Sequence, residues 1–189
     1  MRLLCLLLGG VSLFAQAKPP VEAPLVYRED WKETPPETPV TQAHVANPNL
    51  LLAVYGPGKD GVKKSHHDYK PGDPWYIWSG TANGNWVVTL RDKRSAIDLT
   101  GPARIRWRAK QAGYRQLRIV LKLANGTWVV SDQYDDASAD WREHDFIMAD
   151  LHWRKLDIKT VTEAAFVEKP DLRGVTEIGF TDLMTGGQS

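Results

Sequence analysis

Residues 103–132, ARIRWRAKQAGYRQLRIVLKLANGTWVVSD, decide the fold of this chain. Apolar and basic residues alternate along 104–109, and apolar residues again take every second position of 117–123. Because successive side chains of a strand point to opposite faces, this period of two predicts half-buried strands and not helix. Asn125-Gly126, the pair that a two-residue hairpin turn favours, then sits between two such runs. The stretch therefore predicts an antiparallel meander with one apolar face and one basic face.

The rest of the chain extends this pattern outward. Short apolar runs separated by turn residues predict further strands over 25–27, 50–55, 75–79, 86–91, 96–99, 145–148, 151–158 and 175–180. We expect 75–79 and 86–91 to pair through 80–85, and 160–165 to form one helical turn. Together these elements predict an all-β antiparallel β-sandwich or jelly roll with at most one or two short helical turns. A mostly β domain decorated by one or two short helices is the alternative.

The first 17 residues are typical of a signal peptide. Arg2 supplies the positive start, 3–14 form an apolar run too short to span a membrane comfortably, and Ala15-Gln16-Ala17 fits a cleavage site. We expect residues 18–24, which are rich in proline, to be a flexible lead-in. Residues 25–189 then form a single domain, exported to the periplasm or the extracellular space and not embedded in the membrane.

Composition narrows the partners of this domain. The only cysteine, Cys5, lies in the predicted leader, so the exported chain has no disulfide, thiol nucleophile or cysteine-bound metal. The formal net charge of the whole chain is +1, and Arg2 leaves with the leader. A charge of about zero argues against nucleic acid as a partner, since nucleic-acid modules are usually strongly basic. The eight tryptophans can supply much of the core.

Four landmarks appear in a recognisable order along the chain. They are an opening VYREDW at 26–31, IDLTG at 97–101, the Asp-Trp pair at 140–141 and DLRGVTEIGF at 171–180. In this order the chain resembles the galactose-binding-like jelly rolls, a group that includes many carbohydrate-binding modules. The resemblance covers roughly residues 25–182.

That resemblance implies both a fold and a ligand class. It implies a β-sandwich that binds carbohydrate, requires no cofactor for catalysis and holds a structural calcium through Glu29, Asp30 and Asp182. Members of the group also end with one more strand after the one that matches 175–180. The residues up to Ser189 do not supply it, so either the given sequence lacks that final strand or the architecture differs from that of the group.

Two sets of side chains are candidates for ligand contact. The first is the basic face, which consists of Arg104, Arg106, Arg108, Arg118 and Lys122. Arginine forks bind carboxylates, so this face either holds an acidic sugar or is a solvated face paired with Asp and Glu. The second set is aromatic: Trp75, Tyr76, Trp78, Trp128, Tyr134 and Trp141. Such rings either stack on sugars or fill the core.

We interpret the chain as an exported, non-catalytic carbohydrate-binding domain for neutral or acidic polysaccharide. Its ligand-binding residues are predicted to be Trp78, Trp128, Arg106, Arg108, Arg118 and Asp132, and no catalytic residue is assigned.

Two alternatives belong to other classes. The acidic set Asp132, Asp135, Asp136 and Asp140 could serve a secreted glycoside hydrolase or lyase, although no spacing fixes a catalytic pair. An envelope interaction or structural domain without a small ligand is the other alternative.

His66-His67-Asp68 could contribute to a metal site, but adjacent residues of an extended segment point apart.

Overall fold

The computed structural model describes residues 24–184. The predicted leader 1–17, nearly all of the lead-in 18–24 and the last residues 185–189 lie outside the described residues. The described chain forms eleven strands: β1 (Leu50–Tyr55), β2 (Lys63–Ser65), β3 (Tyr76–Trp78), β4 (Trp86–Asp92), β5 (Arg104–Ala109), β6 (Leu117–Lys122), β7 (Trp128–Asp135), β8 (Arg142–Ile147), β9 (Trp153–Asp157), β10 (Thr162–Val167) and β11 (Glu177–Asp182).

The predicted all-β antiparallel class is confirmed. Seven strands form the main sheet in the order β1-β4-β11-β6-β7-β9-β10, and the pairs β2–β3 and β5–β8 form two small sheets. Helical structure among the described residues is limited to three single 3-10 turns, at Gln42–His44, Lys59–Gly61 and Met148–Asp150. None of the described helical segments is long and apolar enough to cross a membrane.

The core lies mainly between the main sheet and the small sheets. Ile119, Leu121 and Val129 of the main sheet pack with Phe146 of β8 and with the partly buried Trp107 of β5. A second cluster joins β4 to the segment before β1 and to the β2–β3 sheet. We call this side of the main sheet the packed face. It gives the molecule the two layers of a β-sandwich.

The predicted meander is wrong at its first strand. β5 does not pair with β6 but with β8, in a register that sets Arg104 opposite Ile147 and Ala109 opposite Arg142. The alternation along β5 is as predicted, since Trp107 packs inward while Arg106 faces outward. The period of two identified the faces of this strand, but it carries no information about the partner strand.

The β6–β7 hairpin is confirmed. The Leu123 amide donates to Thr127 O at 2.9 Å, and the Gly126 amide donates to Leu123 O at 2.9 Å. Gly126 has φ of +83°. The connection is therefore a three-residue loop with glycine in the left-handed position, so the predicted two-residue turn is wrong.

Four other predicted elements differ from the structure. Residues 96–99, predicted as a strand, contribute only an isolated bridge between Ile97 and Val175. Residues 25–27 form no strand, and Tyr27 instead packs its ring against the core. The strand near 75–79 pairs with β2 and not with β4, because β4 lies between β1 and β11 in the main sheet. Residues 160–165, predicted as one helical turn, form none, and β10 (Thr162–Val167) lies there instead, at the edge of the main sheet.

The main sheet is strongly curled. The rings of Tyr55 in β1 and Trp128 in β7 are 5.1 Å apart, although three strands separate β1 from β7. In a flat sheet four strand spacings would hold their backbones roughly 19 Å apart. The two rings lie on the face opposite the packed face, together with buried Val87, Val120 and Val130. We call this the concave face.

Gly179 lies in β11, near the middle of the curl. A Cβ at this position would lie 2.0 Å from the Val88 carbonyl oxygen and 2.7 Å from the Thr89 methyl group. A glycine inside a strand often marks such a close backbone approach. The sheet can therefore curl here only because residue 179 has no side chain.

Gly179→Ala is expected to lower the free energy of unfolding by about 2–3 kcal/mol, because the overlapping atom belongs to the backbone of the neighbouring strand. Urea denaturation followed by circular dichroism measures the change. Gly174→Ala is the control, because its Cβ would meet only the Ala124 side chain, at 3.1 Å. Equal stability losses in the two variants would contradict the assignment of Gly179 to the curl.

Candidate functional site

The concave face carries a compact aromatic and polar cluster at its centre. The half-buried rings of Tyr55 and Trp128 meet edge to face, and the Lys122 ammonium lies 5.3 Å from the Trp128 ring centre. The strand registers bring these residues together, since Lys122 is the direct neighbour of both Trp128 and Glu177. The curl of the sheet then adds Tyr55 from the far edge.

Glu177 organises the polar part of this cluster. Its Oε2 accepts hydrogen bonds from the Tyr55 hydroxyl at 2.9 Å and from the Thr89 hydroxyl at 2.7 Å. Its Oε1 accepts one from Lys122 Nζ at 3.0 Å. Glu177 is only 7% exposed, so these donors replace most of its contact with water. The carboxylate thereby holds three side chains from three different strands.

The tyrosine of the cluster is held in its protonated form. Burial, together with the hydrogen bond to the Glu177 carboxylate, raises the pKa of Tyr55 to about 12. The hydroxyl therefore stays a donor to Glu177 throughout the physiological range, while its oxygen can still accept a hydrogen bond from a ligand. The cluster thus presents aromatic surface beside fixed polar groups.

A second group lies on the same face near β10. Arg118 donates through Nε to Ser131 O at 2.6 Å and through Nη1 to Glu163 Oε2 at 2.8 Å. Arg154 lies 3.3 Å from the same carboxylate and has its guanidinium carbon 4.6 Å from the Phe166 ring centre. Phe166 is 59% exposed. This end of the face is therefore basic, aromatic and open to solvent.

The six predicted ligand-binding residues do not form one site. Trp128 and Arg118 both lie on the concave face. Trp78 lies on β3, outside the main sheet, with Lys63 Nζ 4.6 Å from its ring centre. Asp132 lies in β7, where its carboxylate accepts the His152 amide at 2.8 Å. Trp128 and Arg118 thus share one face of the main sheet, whereas Arg106 and Arg108 share another strand, β5.

The predicted basic face is divided between two sheets, because β5 is not a neighbour of β6. Arg106 and Arg108 lie on the outer side of the β5–β8 sheet, opposite acidic residues of β8. Arg106 makes a two-pronged contact with Asp145, at 2.6 and 2.7 Å. Paired in this way across strands, these arginines follow the interpretation of a solvated face.

The residues that the resemblance implies for calcium have other roles. The Glu29 carboxylate accepts three backbone N–H groups, those of Trp31, Ala46 and Asn47. Asp30 pairs with Arg28, and Asp182 pairs with Arg115. Because N–H and guanidinium donors already occupy these oxygens, the three residues do not make a cation site together. Among the described residues, no three His, Cys, Asp or Glu side chains gather as metal ligands.

Three of the four acidic residues proposed for catalysis have structural contacts. Asp135 is fully buried and accepts hydrogen bonds from Trp107 Nε1 at 2.9 Å and from Arg142. Asp132 is held by His152, and the Asp140 carboxylate accepts the Trp141 amide at 2.8 Å. A buried carboxylate with these donors ties β7 to the β5–β8 sheet. Removing Asp135 would therefore test folding before it tested catalysis.

The histidine pair belongs to a separate cluster beside β2 and β3. His66 stacks on Trp75 with ring centres 3.8 Å apart, and His67 lies 3.1 Å from Asp73. Lys64 lies in β2, directly before this histidine pair, and is fully buried. Its Nζ has no hydrogen-bond partner among the described residues. Its ammonium lies 4.2 Å from the Trp75 ring centre. Burial lowers the pKa of Lys64 to about 8.

A shallow depression of about 330 Å³ opens on the packed side of the molecule. Its lining includes the apolar side chains of Leu99, Met148 and Leu172 and the charged side chains of Asp171 and Arg173. These two charged groups are already paired with each other at 2.8 Å. The depression therefore offers fewer groups for a polar ligand than the concave face does.

Sequence reasoning missed half of the concave cluster. In the sequence, Tyr55 and Glu177 are only parts of predicted strands, and Arg154 and Phe166 belong to neither set of candidate ligand contacts. Their strands meet in space through pairings between distant parts of the chain. The one available signal was the position of Lys122 and Trp128 on either side of the Asn125-Gly126 turn.

No protein-family model, curated protein or solved structure matches this chain. The resemblance to galactose-binding-like domains therefore stays a prediction, and the function has to be argued from the geometry of the described residues.

Lys64→Met is expected to raise the free energy of unfolding by about 1 kcal/mol at pH 7, because it removes a buried charge without a hydrogen-bond partner. The folded-state pKa lies below that of the unfolded chain, so between about pH 8 and 10.5 the unfolded state binds more protons. The free energy of unfolding of the wild type therefore rises relative to that of the variant as the pH rises through this window. Urea denaturation at pH 7 and pH 10 measures the difference.

Lys63→Met is the matched control, since Lys63 is the adjacent lysine of the same strand and is not fully buried. Its difference from the wild type should change little between the two pH values. A Lys64→Met difference that is the same at pH 7 and pH 10 would show that burial does not perturb this ammonium.

Proposed function

We propose that the protein is an exported, non-catalytic carbohydrate-binding domain whose ligand lies on the concave face of the main sheet. The observation that carries the proposal is the Tyr55–Trp128 ring pair beside the Lys122–Glu177 ion pair. Sugars present C–H patches to flat aromatic rings and hydroxyl groups to nearby polar side chains. This cluster offers both kinds of contact within one hydrogen-bonded unit.

The side chains of the cluster are held in place by hydrogen bonds, which also favours binding. Three donors fix Glu177, and Glu177 in turn fixes Tyr55 and Lys122. Side chains that are already held lose little conformational entropy when a ligand arrives. Trp128, one of the residues predicted from the sequence, would then stack on the sugar, and Arg118 would contribute from the same face.

The two alternatives have different support. The glycosidase interpretation loses one of its four acidic residues, since Asp135 is buried under Arg142 and Trp107. The interaction-domain interpretation is favoured by β10, whose residues 162–166 are exposed at an edge of the main sheet. An exposed edge strand can pair with an extended segment of another protein. We therefore keep a protein-interaction domain as the second candidate.

Trp128→Ala is expected to weaken binding of oligosaccharides at least tenfold, because it removes the stacking surface. Intrinsic tryptophan fluorescence, titrated with a panel of neutral and acidic oligosaccharides, measures this binding. Trp128→Phe, which keeps an aromatic ring, should bind with intermediate affinity. Since Trp128 also packs against Tyr55, thermal melting of each variant must accompany the titration.

Trp78→Ala is the matched control, because Trp78 lies on β3 away from the concave face. It should bind like the wild type. If the wild-type protein melts cooperatively and binds no member of the panel, the carbohydrate proposal fails and the edge strand β10 becomes the leading candidate.

A further inference from the structure

We propose that Arg154 makes the concave face selective for acidic saccharides by binding a sugar carboxylate. This inference rests on the proposed function and names its ligand class. The residues that carry it are Arg154 and Phe166, together with the shared carboxylate of Glu163.

The Arg154 side chain is held in place at its inner nitrogen. Nε donates to Ala164 O at 3.0 Å and lies 3.3 Å from Glu163 Oε2. The guanidinium lies over the Phe166 ring at 4.6 Å. Within residues 24–184, the hydrogen bond of the guanidinium is the one that Nε makes, and the two terminal nitrogens donate none. The geometry therefore presents the two-pronged end of a fixed guanidinium, which matches the spacing of carboxylate oxygens.

The charge at this end of the concave face is not balanced. Arg118 and Arg154 both contact the single carboxylate of Glu163. At the centre of the face, Lys122 and Glu177 form an ion pair in which one positive charge faces one negative charge. The excess positive charge therefore lies beside Phe166, where an anionic group on the ligand would neutralise it. Arg118 is largely buried, so Arg154 is the cation that a ligand can reach.

The register gives the distance that a ligand would span. Phe166 is opposite Arg154, and Arg154 is opposite Val130, which lies two residues from Trp128. Two strand spacings and two residues of rise separate the Phe166 and Trp128 backbones by roughly 12 Å in a flat sheet, and by less in a curled one. A ligand that reaches both rings therefore has at least two sugar units. We infer an oligosaccharide that contains uronic acid.

Binding of matched pairs of ligands tests this inference. We would titrate the protein by isothermal calorimetry with oligogalacturonate, oligoglucuronate and oligomannuronate, and with the methyl ester of each, which has the same sugar without the charge. At least one acid should bind ten or more times tighter than its ester. The preference should shrink as salt is added, because the guanidinium is partly exposed.

Arg154→Met should reduce that preference to about threefold or less, and Arg154→Lys should keep part of it, since a lysine keeps the charge but loses the fork. Arg104→Met, on the outer side of the β5–β8 sheet, is the matched control and should leave it unchanged. Melting curves check that the variants fold.

Three outcomes would overturn the inference. If the wild type binds acid and ester equally, the ligand class is wrong while carbohydrate binding stands. If the preference survives in Arg154→Met, another group recognises the carboxylate. A sulfated galactan oligosaccharide and its desulfated counterpart are titrated as a further pair. If the affinity ratio of this pair exceeds the acid-to-ester ratio of every uronate, the anion that the site recognises is a sulfate ester. Failure of all the saccharides would instead contradict the proposed function itself.

Discussion

The curl of the main sheet is the constraint on which the rest of the structure depends. It brings Tyr55 of the first strand against Trp128 of the fifth strand in the sheet order, at 5.1 Å. It also requires the close approach of β4 and β11 that only a glycine at 179 permits. A flat sheet of the same strands would separate the members of the candidate site. The architecture and the site therefore share one physical cause.

Local features of the fold were predictable from the sequence, and long-range pairings were not. The Asn125-Gly126 hairpin forms as expected because both of its strands and its turn lie within about twenty residues. The alternation along 104–109 correctly gave the inward position of Trp107. It could not give β8 as the partner of β5, because a period of two defines the faces of a strand and leaves its neighbour open. The predicted meander failed at that step.

The candidate site shows the same limit. Trp128 and Lys122 could be linked from the sequence, since the hairpin sets them opposite each other. Glu177 lies 55 positions further along the chain than Lys122, and Tyr55 comes from the other end of the sheet. Arginines that looked alike also separated, because Arg106 faces solvent beside Asp145 while Arg118 is buried on the concave face. Burial and partner, not residue type, distinguish them.

The two sides of the molecule differ in how their charges are paired. On the outer side of the β5–β8 sheet, Arg106 is already satisfied by a two-pronged contact with Asp145, and a ligand would have to break it. Exposed pairs of this kind contribute little to stability, but they leave no net charge to attract a ligand. On the concave face one carboxylate, Glu163, serves two guanidiniums. An acidic ligand there would add a missing counterion without displacing an existing one, which is why selectivity should arise on this face.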